Sequence, residues 1–511
     1  MFQLDSMDPG RRSVLTLALM LAVLIQALDA TIANVALPHM QASLGATQDS
    51  INWVLTSYIV ASAIAIPVAG WLADRVGRKR LLVIGVVCFT VASLLCAIAQ
   101  SLTEMVLFRA LQGISGSLLV PLAQSTLFDV YPREKHSQAM AIFGGGIMIG
   151  PILGPLLGGW LTDTFDWRWV FLVNLPIGAI AAAMLLRYMP RIPLNVRKFD
   201  LFGFALLGTG LAALQLMLDR GEQQDWFEST EIVLELAVAG AAFWMFVVHT
   251  ITARHPLFER QMFKDRNFTT GLMFMAVTGL LMLAGLALLP PLLQRLYGYS
   301  VLQSGELTMP RGIGTLITMI TAGRLAQKVD LRVLVGVGMA LMGTSLYMMT
   351  GFALEQSAQP VIMSGVVQGL GLGLLFITIQ NLAFGTLEPR LRTAAASLLN
   401  LSRNIGGAIG ISIVTAELTR NIQISHADLA SNITSQNTPI TLAPLIEQLG
   451  LPAQGALAFI DAEINRQAAF IAYLDDFKLM MWVTFAAIPL IFLLRSPTKG
   501  QSTSSEHLVM D

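Results

Sequence analysis

Charge is what this sequence has least of. Only 13% of its 511 residues are Asp, Glu, Lys or Arg, about half of the roughly 25% usual in a soluble globular chain. With 55% hydrophobic residues and a mean hydropathy of +0.66, most of its surface must face lipid rather than water. The 32 basic residues balance 32 acidic ones, so the basic excess that a nucleic-acid partner requires is missing. There are two cysteines, Cys88 and Cys96, both inside one apolar stretch. They read as small apolar helix residues. None of the six histidines forms an H-x-x-x-H or H-E-x-x-H pair, so no metal site is expected. The phosphate-cradling pattern G-x-x-x-x-G-K-[ST] is absent as well. ATP is therefore not expected as the direct energy source, and neither an enzyme nor a cofactor site is indicated.

Long apolar runs are what the chain has in abundance. A bilayer core about 30 Å thick needs roughly 20 apolar residues per helix. Such segments lie near 14–36, 50–72, 81–100, 103–128, 137–161, 168–189, 200–219, 231–252, 270–293, 303–325, 331–351, 360–386, 394–417 and 477–495. The first follows Arg11 and Arg12, but its apolar run is too long for a signal peptide, so it reads as an uncleaved span. With the N-terminus inside, Lys and Arg concentrate on the inside segments. Arg168, Arg220, Arg295, Arg420, Arg466 and Lys478 fall outside, and Arg109, Arg311 and Arg403 lie within spans. This asymmetry puts both termini in the cytoplasm.

The chain repeats itself. Gln112-Gly113 in the fourth segment recurs as Gln368-Gly369 in the twelfth, and the same offset carries Gln124 onto Gln380. After a one-residue slip, Pro132-Arg133 matches Pro389-Arg390. More weakly, Gly70 to Asp74 resembles Gly323 to Gln327. Helix n thus maps onto helix n+8, as two six-helix halves separated by two inserted helices require. Parallel repeats about an axis normal to the membrane, with substrate bound between them, are one of the known transporter plans. The resulting division is 1–190 for the first bundle, 191–265 for the inserted pair, and 266–511 for the second bundle. An outer loop is expected at 418–476, polar around Asn432 and Asn437 and amphipathic around Phe459 to Tyr473. Loops of this length are usually functional or disordered.

Three stretches carry charge or backbone chemistry. The first runs Gly70, Trp71, Leu72, Ala73, Asp74, Arg75, Val76, Gly77, Arg78, Lys79, Arg80 after the second span. Its glycines permit a tight turn. In the first span stands Asp29, in Leu28-Asp29-Ala30-Thr31-Ile32-Ala33-Asn34, and in the fourth stands Arg109, in Arg109-Ala110-Leu111-Gln112-Gly113. A carboxylate inside a span costs at least about 2.5 kcal/mol on insertion scales and so needs a cavity or a partner. At about 1.5 Å of rise per residue, both charges lie roughly 10 Å inside the same boundary. A guanidinium beside a carboxylate favours its charge while desolvation opposes it, a setting for a switchable proton. Asp29 is thus expected to take a proton from a central pathway and Arg109 to tune or relay it. The third stretch, in the fifth span, is Gly150, Pro151, Ile152, Leu153, Gly154, Pro155, Leu156, Leu157, Gly158, Gly159. Glycines four apart groove a helix for close contact, and Pro155 removes a backbone donor. Arg311, in the tenth span, has no nameable acid partner. The 25 methionines serve first as fillers of irregular gaps.

These stretches resemble the major facilitator superfamily, and within it the EmrB/QacA-type fourteen-helix drug:proton antiporters, closest to the EmrB branch of Gram-negative bacteria. The loop matches G-x-L-A-D-R-x-G-R-K at every defined position, the fourth span matches R-x-x-Q-G-x-x-G, and the fifth resembles the exporter pattern G-x-x-x-G-P-x-x-G-G. Arg466-Gln467-Ala468, Ala472-Tyr473 and Phe477 are similar to the end of that branch's last outer loop. The resemblance implies an all-α membrane fold of fourteen helices. It implies that Gly70, Asp74, Arg75, Gly77, Arg78 and Lys79 form a charge latch between the halves in an outward-open state. Gly150, Gly154, Pro155, Gly158 and Gly159 would form a hinge and seal between the halves that sets the direction as export. Helices 1 and 4 would line the cavity, with Thr31, Asn34, Gln112 and Arg311 on its wall. The activity implied is proton-gradient-driven export of lipophilic toxic compounds, hence antibiotic resistance, across a bacterial inner membrane. A periplasmic adaptor and a TolC-like outer-membrane channel are the partners implied. The rivals are a proton symporter importing a small metabolite and a membrane scaffold or sensor that has lost transport.

Overall fold

A peptide group in hydrocarbon has no water to bond, so each apolar segment must satisfy its own backbone, which for a single segment means an α-helix. The computed structural model describes residues 7–132, 135–190, 198–326, 328–433 and 453–495, and among them only helices, turns and connecting segments occur. Fourteen long helical segments follow one another: α1 Pro9–Leu44, α2 Trp53–Val76, α3 Arg78–Ile98, α4 Leu102–Val130, α5 His136–Thr164, α6 Trp169–Tyr188, α7 Leu201–Arg220, α8 Thr230–Thr252, α9 Arg266–Pro291, α10 Val301–Leu325, α11 Leu331–Thr350, α12 Gln359–Gly385, α13 Arg392–Ser431 and α14 Ala453–Ala487. Twelve of these are apolar and long enough to cross a membrane. The remaining two, α10 and α13, are long enough but more polar, and they bury polar residues such as Arg311, Thr315 and Asn400. Arg133, Gln327 and the stretch 434–452, which includes Asn437, lie outside the described residues.

Local signals set the helix ends. Asp8 caps α1 by accepting from the Arg11 N–H, Pro9 opens its first turn, and Gly45 closes it at φ +62°. Gly77, at φ +92°, separates α2 from α3 in a backbone conformation that a side chain would strain.

Packing follows the internal repeat. In the first half α1 packs on α5 and α6, α2 on α4, and α3 on α4 and α6; in the second half α9 packs on α13 and α14, α10 on α12, and α11 on α12 and α14. The two halves meet through α5 with α10 and, in the equivalent position, α2 with α13. The side-chain amide of Gln124 donates to that of Gln380 at 2.7 Å, a pair 256 positions apart. Residues equivalent by the repeat touch only on the axis relating the halves, so this bond marks that axis. Helix α7 lies against α2, α13 and α8, while α8 buries little of itself.

One large apolar cluster draws on both halves, including Leu19, Phe128 and Phe143 with Phe274, Phe376 and Ala395. A second, around Leu28, Ile32, Met40, Val54 and Phe171, draws on the first half alone. The halves are therefore joined at the end that carries the Gly70–Arg80 turn. At that end Asp129 of α4 takes ion pairs from both Arg78, at the start of α3, and Arg392, at the start of α13, the latter at 3.0 Å.

The loop expected at 418–476 is largely helix. Helix α13 runs unbroken for 40 residues, about 60 Å at 1.5 Å per residue and so about twice the hydrocarbon thickness. Helix α14 likewise starts at Ala453 rather than near 477. The extensions touch through His426 and Asp461 at 3.5 Å. Their polar surface hid them from a search for apolar runs, since an extension in water needs no hydrophobic periodicity all round.

A Cβ added at Gly70 would stand 3.2 Å from the Ala394 Cα of α13. Gly70→Val should therefore overpack the closed junction, at a cost of about 1–3 kcal/mol, and shift the closed-to-open balance by roughly 5- to 150-fold. Alkylation of an Ala394→Cys thiol in membranes should accelerate accordingly; an unchanged rate would mean that this contact does not hold the halves together.

Candidate functional site

The polar residues of α1, α3, α4 and α6 that point into the first bundle form one network. Asp29 is its acid, fully buried, and Arg109 donates through Nη1 to its Oδ2 at 2.7 Å. The other oxygen accepts from Gln112 Nε2 at 2.8 Å and from Asn174 Nδ2 at 3.0 Å. Ser93 Oγ accepts from both amides. Arg109 also donates to the Val54 carbonyl at 3.1 Å and to Gln112 Oε1 at 2.8 Å, and its guanidinium lies 4.3 Å from the centre of the Tyr58 ring. Each helix contributes because its apolar outer face is held in lipid, which turns its few polar residues inward, where only each other can satisfy them.

The equal depth expected of Asp29 and Arg109 is met by their direct contact. The open pathway is not: relative exposure is 0% for Asp29 and 1% for Arg109. In this conformation the carboxylate is sealed inside the first bundle, because the amides of Gln112 and Asn174 close over it. No central path therefore reaches the carboxylate among the described residues in this conformation.

The other expected residues lie in unlike surroundings. Gln112 belongs to the buried network and not to a cavity wall. Thr31 faces α5, donating to the Gly150 carbonyl at 3.2 Å. Asn34 is exposed, and Arg311 is buried in the second bundle, bonded to the Met282 carbonyl. The glycines of α5 do not form a seam between the halves. Gly150, Gly154 and Gly158 press against Ala27, Thr31 and Ile32 of α1 within the first half, while Gly159 faces open space. The face of α5 that meets α10 carries Gly144 and Gly145, against Met319 and Leu316. Pro155 leaves α5 helical from His136 to Thr164.

In the turn, Arg78 is buried against Asp129, and the guanidinium of Arg75 lies 5.3 Å from the centre of the Trp71 ring. Asp74 and Lys79 are half-buried beside it. The acid that bridges the halves, Asp129, had no distinguishing sequence pattern; its only sequence signal was a carboxylate at the end of a span. Ser93 was equally silent, since a lone hydroxyl on a helix is ordinary. Asp476 in α14 is also buried, with neither carboxylate oxygen hydrogen-bonded among the described residues.

Removing one member of a buried ion pair leaves the other charge uncompensated, a loss of about 3–5 kcal/mol. Asp29→Asn or Arg109→Gln alone should lower the melting temperature of the purified protein more than half as much as the double substitution does. Strictly additive losses would show that the two charges are not coupled.

The family described as the Major Facilitator Superfamily matches residues 19–411. The multidrug export protein EmrB of Escherichia coli (strain K12) is 34% identical over 97% of this chain and 98% of its own length. The fatty acid resistance protein FarB of Neisseria gonorrhoeae is 34% identical over 94% of this chain and 96% of its own. Among solved structures, the proton:xylose symporter XylE shares the fold with a TM-score of 0.60 at 14% identity, covering 94% of this chain and 97% of that one. With its repeated six-helix halves, its loop signature and these relatives, the chain is a multi-pass membrane protein that belongs to the major facilitator superfamily.

Proposed function

We propose that this chain is a drug exporter of the bacterial inner membrane, exchanging protons for lipophilic toxic compounds, with both termini in the cytoplasm. Full-length similarity to proteins named for multidrug export and fatty acid resistance is the observation that carries export. Positive-inside asymmetry supports the orientation. With that orientation, the halves are joined on the cytoplasmic side by the Gly70 contact, by Asp129 between Arg78 and Arg392, and by the Gln124–Gln380 bond, which supports the latch role of the turn.

The proton would be carried by Asp29 and tuned by Arg109. Because the carboxylate is sealed here, exchange has to occur in a different conformation, one in which the Gln112 and Asn174 amides part. Asp476 offers a second reading of the proton site, since none of the described residues is hydrogen-bonded to its charge. Everted membrane vesicles with an imposed pH gradient discriminate between them. Adding a lipophilic substrate should release protons in wild type. Compared at matched amounts of protein, Asp29→Asn should abolish this, while Asp476→Asn leaves it; the reverse pattern would transfer the role to Asp476. Substrate leaving the vesicles instead of entering them would make the chain an importer.

Paired extensions of α13 and α14 supply a projecting surface suited to a periplasmic adaptor, itself joined to a TolC-like outer-membrane channel. Shortening both extensions between Arg420 and Arg466 should abolish co-purification with the adaptor while uptake by everted vesicles persists. Retained co-purification would place the adaptor contact elsewhere.

A further inference from the structure

The repeat places unlike chemistry at like positions. The offset of 256 that joins Gln124 to Gln380 carries Asp29 onto Gly285, Arg109 onto Gly365 and Gln112 onto Gln368. In the first half these positions hold an acid, its guanidinium and its amide, all mutually bonded. The second half keeps the amide, and the guanidinium comes from a neighbouring helix: the Cβ of Arg311, in α10, stands 3.7 Å from where a Gly365 side chain would begin. Only the acid has no replacement.

The donors nonetheless gather around the missing acid. A side chain begun at Gly285 would lie 3.4 Å from Arg311 Nη1, 3.6 Å from Gln368 Nε2 and 3.7 Å from Arg311 Nη2. Gln368 is 1% exposed, and neither its nitrogen nor its oxygen has a hydrogen-bond partner among the described residues. Arg311 is 8% exposed and donates to the Met282 carbonyl at 3.2 Å, with no carboxylate paired to it among the described residues. Buried donors are normally satisfied, and a buried guanidinium normally has an anion. Leu281, Ala284 and Leu288 flank Gly285 on α9 and are buried, so the surroundings of the donors are apolar.

We propose that Gly285, Arg311 and Gln368 form an anion subsite of the transport path, which takes the carboxylate head of a lipophilic acid while the apolar surroundings take its tail. The planar fork of Arg311 matches a carboxylate's two oxygens, and Gln368 adds the third donor, as Gln112 does for Asp29. The cargo's acid thus stands where the first half keeps its own. This assignment deepens the exporter reading and rests on it for the direction of movement, though the site itself can be tested by binding alone.

The test uses purified full-length protein in detergent and two probes of equal chain length, dodecanoate and its methyl ester. Wild type should bind dodecanoate at least about tenfold more tightly than the ester, the margin of charge-assisted hydrogen bonds over neutral ones. Gly285→Asp would place an internal carboxylate among the donors, so the acid-to-ester ratio should fall to about one in protein that still elutes as a single species. Gln368→Leu, which changes no charge, should lower the ratio part of the way and serves where Gly285→Asp does not fold. Equal affinity for acid and ester in wild type, or a ratio that survives both substitutions, overturns the subsite. Efflux of dodecanoate by wild-type cells is scored separately: its absence counts against the exporter reading, and the binding ratio still decides the subsite.

Discussion

Burial of charge away from water is the constraint on which the rest of this structure depends. In a chain dissolved in lipid, a carboxylate or guanidinium must be answered by the protein itself. Asp29 is answered completely, by one guanidinium and two amides from two other helices. Those bonds fix the relative rotation of α1, α4 and α6, because each donor reaches the carboxylate from one face only. The glycines of α5 then let that helix settle against α1 around Ala27 and Thr31, next to the acid. Close packing and charge burial are therefore one arrangement, in which loosening the helix contact would also open the network.

The same constraint accounts for the asymmetry between two halves of similar architecture. Their helices pack in matching pairs, and equivalent glutamines meet on the axis. The first half is internally neutralised; in the second, Arg311 and Gln368 surround a glycine. A transporter that alternates between two openings can use such a division, one bundle holding a group that exchanges a proton and the other donors that cargo can satisfy. The junction at the Gly70 end works by different means. It combines a side-chain-free contact between α2 and α13 with one acid, Asp129, shared by arginines of both halves. Both kinds of interaction are short-ranged, so a small rotation of the bundles would release them together.

Sequence by itself determined much of this protein. Length and spacing of apolar runs fix the number of spans, since hydrocarbon thickness sets how many residues each helix needs. The Gln-Gly repeat gave the order of the halves, and Asp29 and Arg109 were bound to be partnered because neither charge can stand alone in lipid. Tertiary structure decided which way each polar group faces. Periodicity cannot tell the interior of one bundle from the space between two, so it left Asp29 and Gln112 expected on a cavity wall that they do not line. The helical projections beyond α13 and α14 escaped for a related reason: outside the membrane a helix is held by its partner, and partners become visible only once the chain is folded. Asp129 and Gly285 matter through what stands opposite them, hundreds of positions away in Arg392 and tens away in Arg311, and no local pattern records such a meeting.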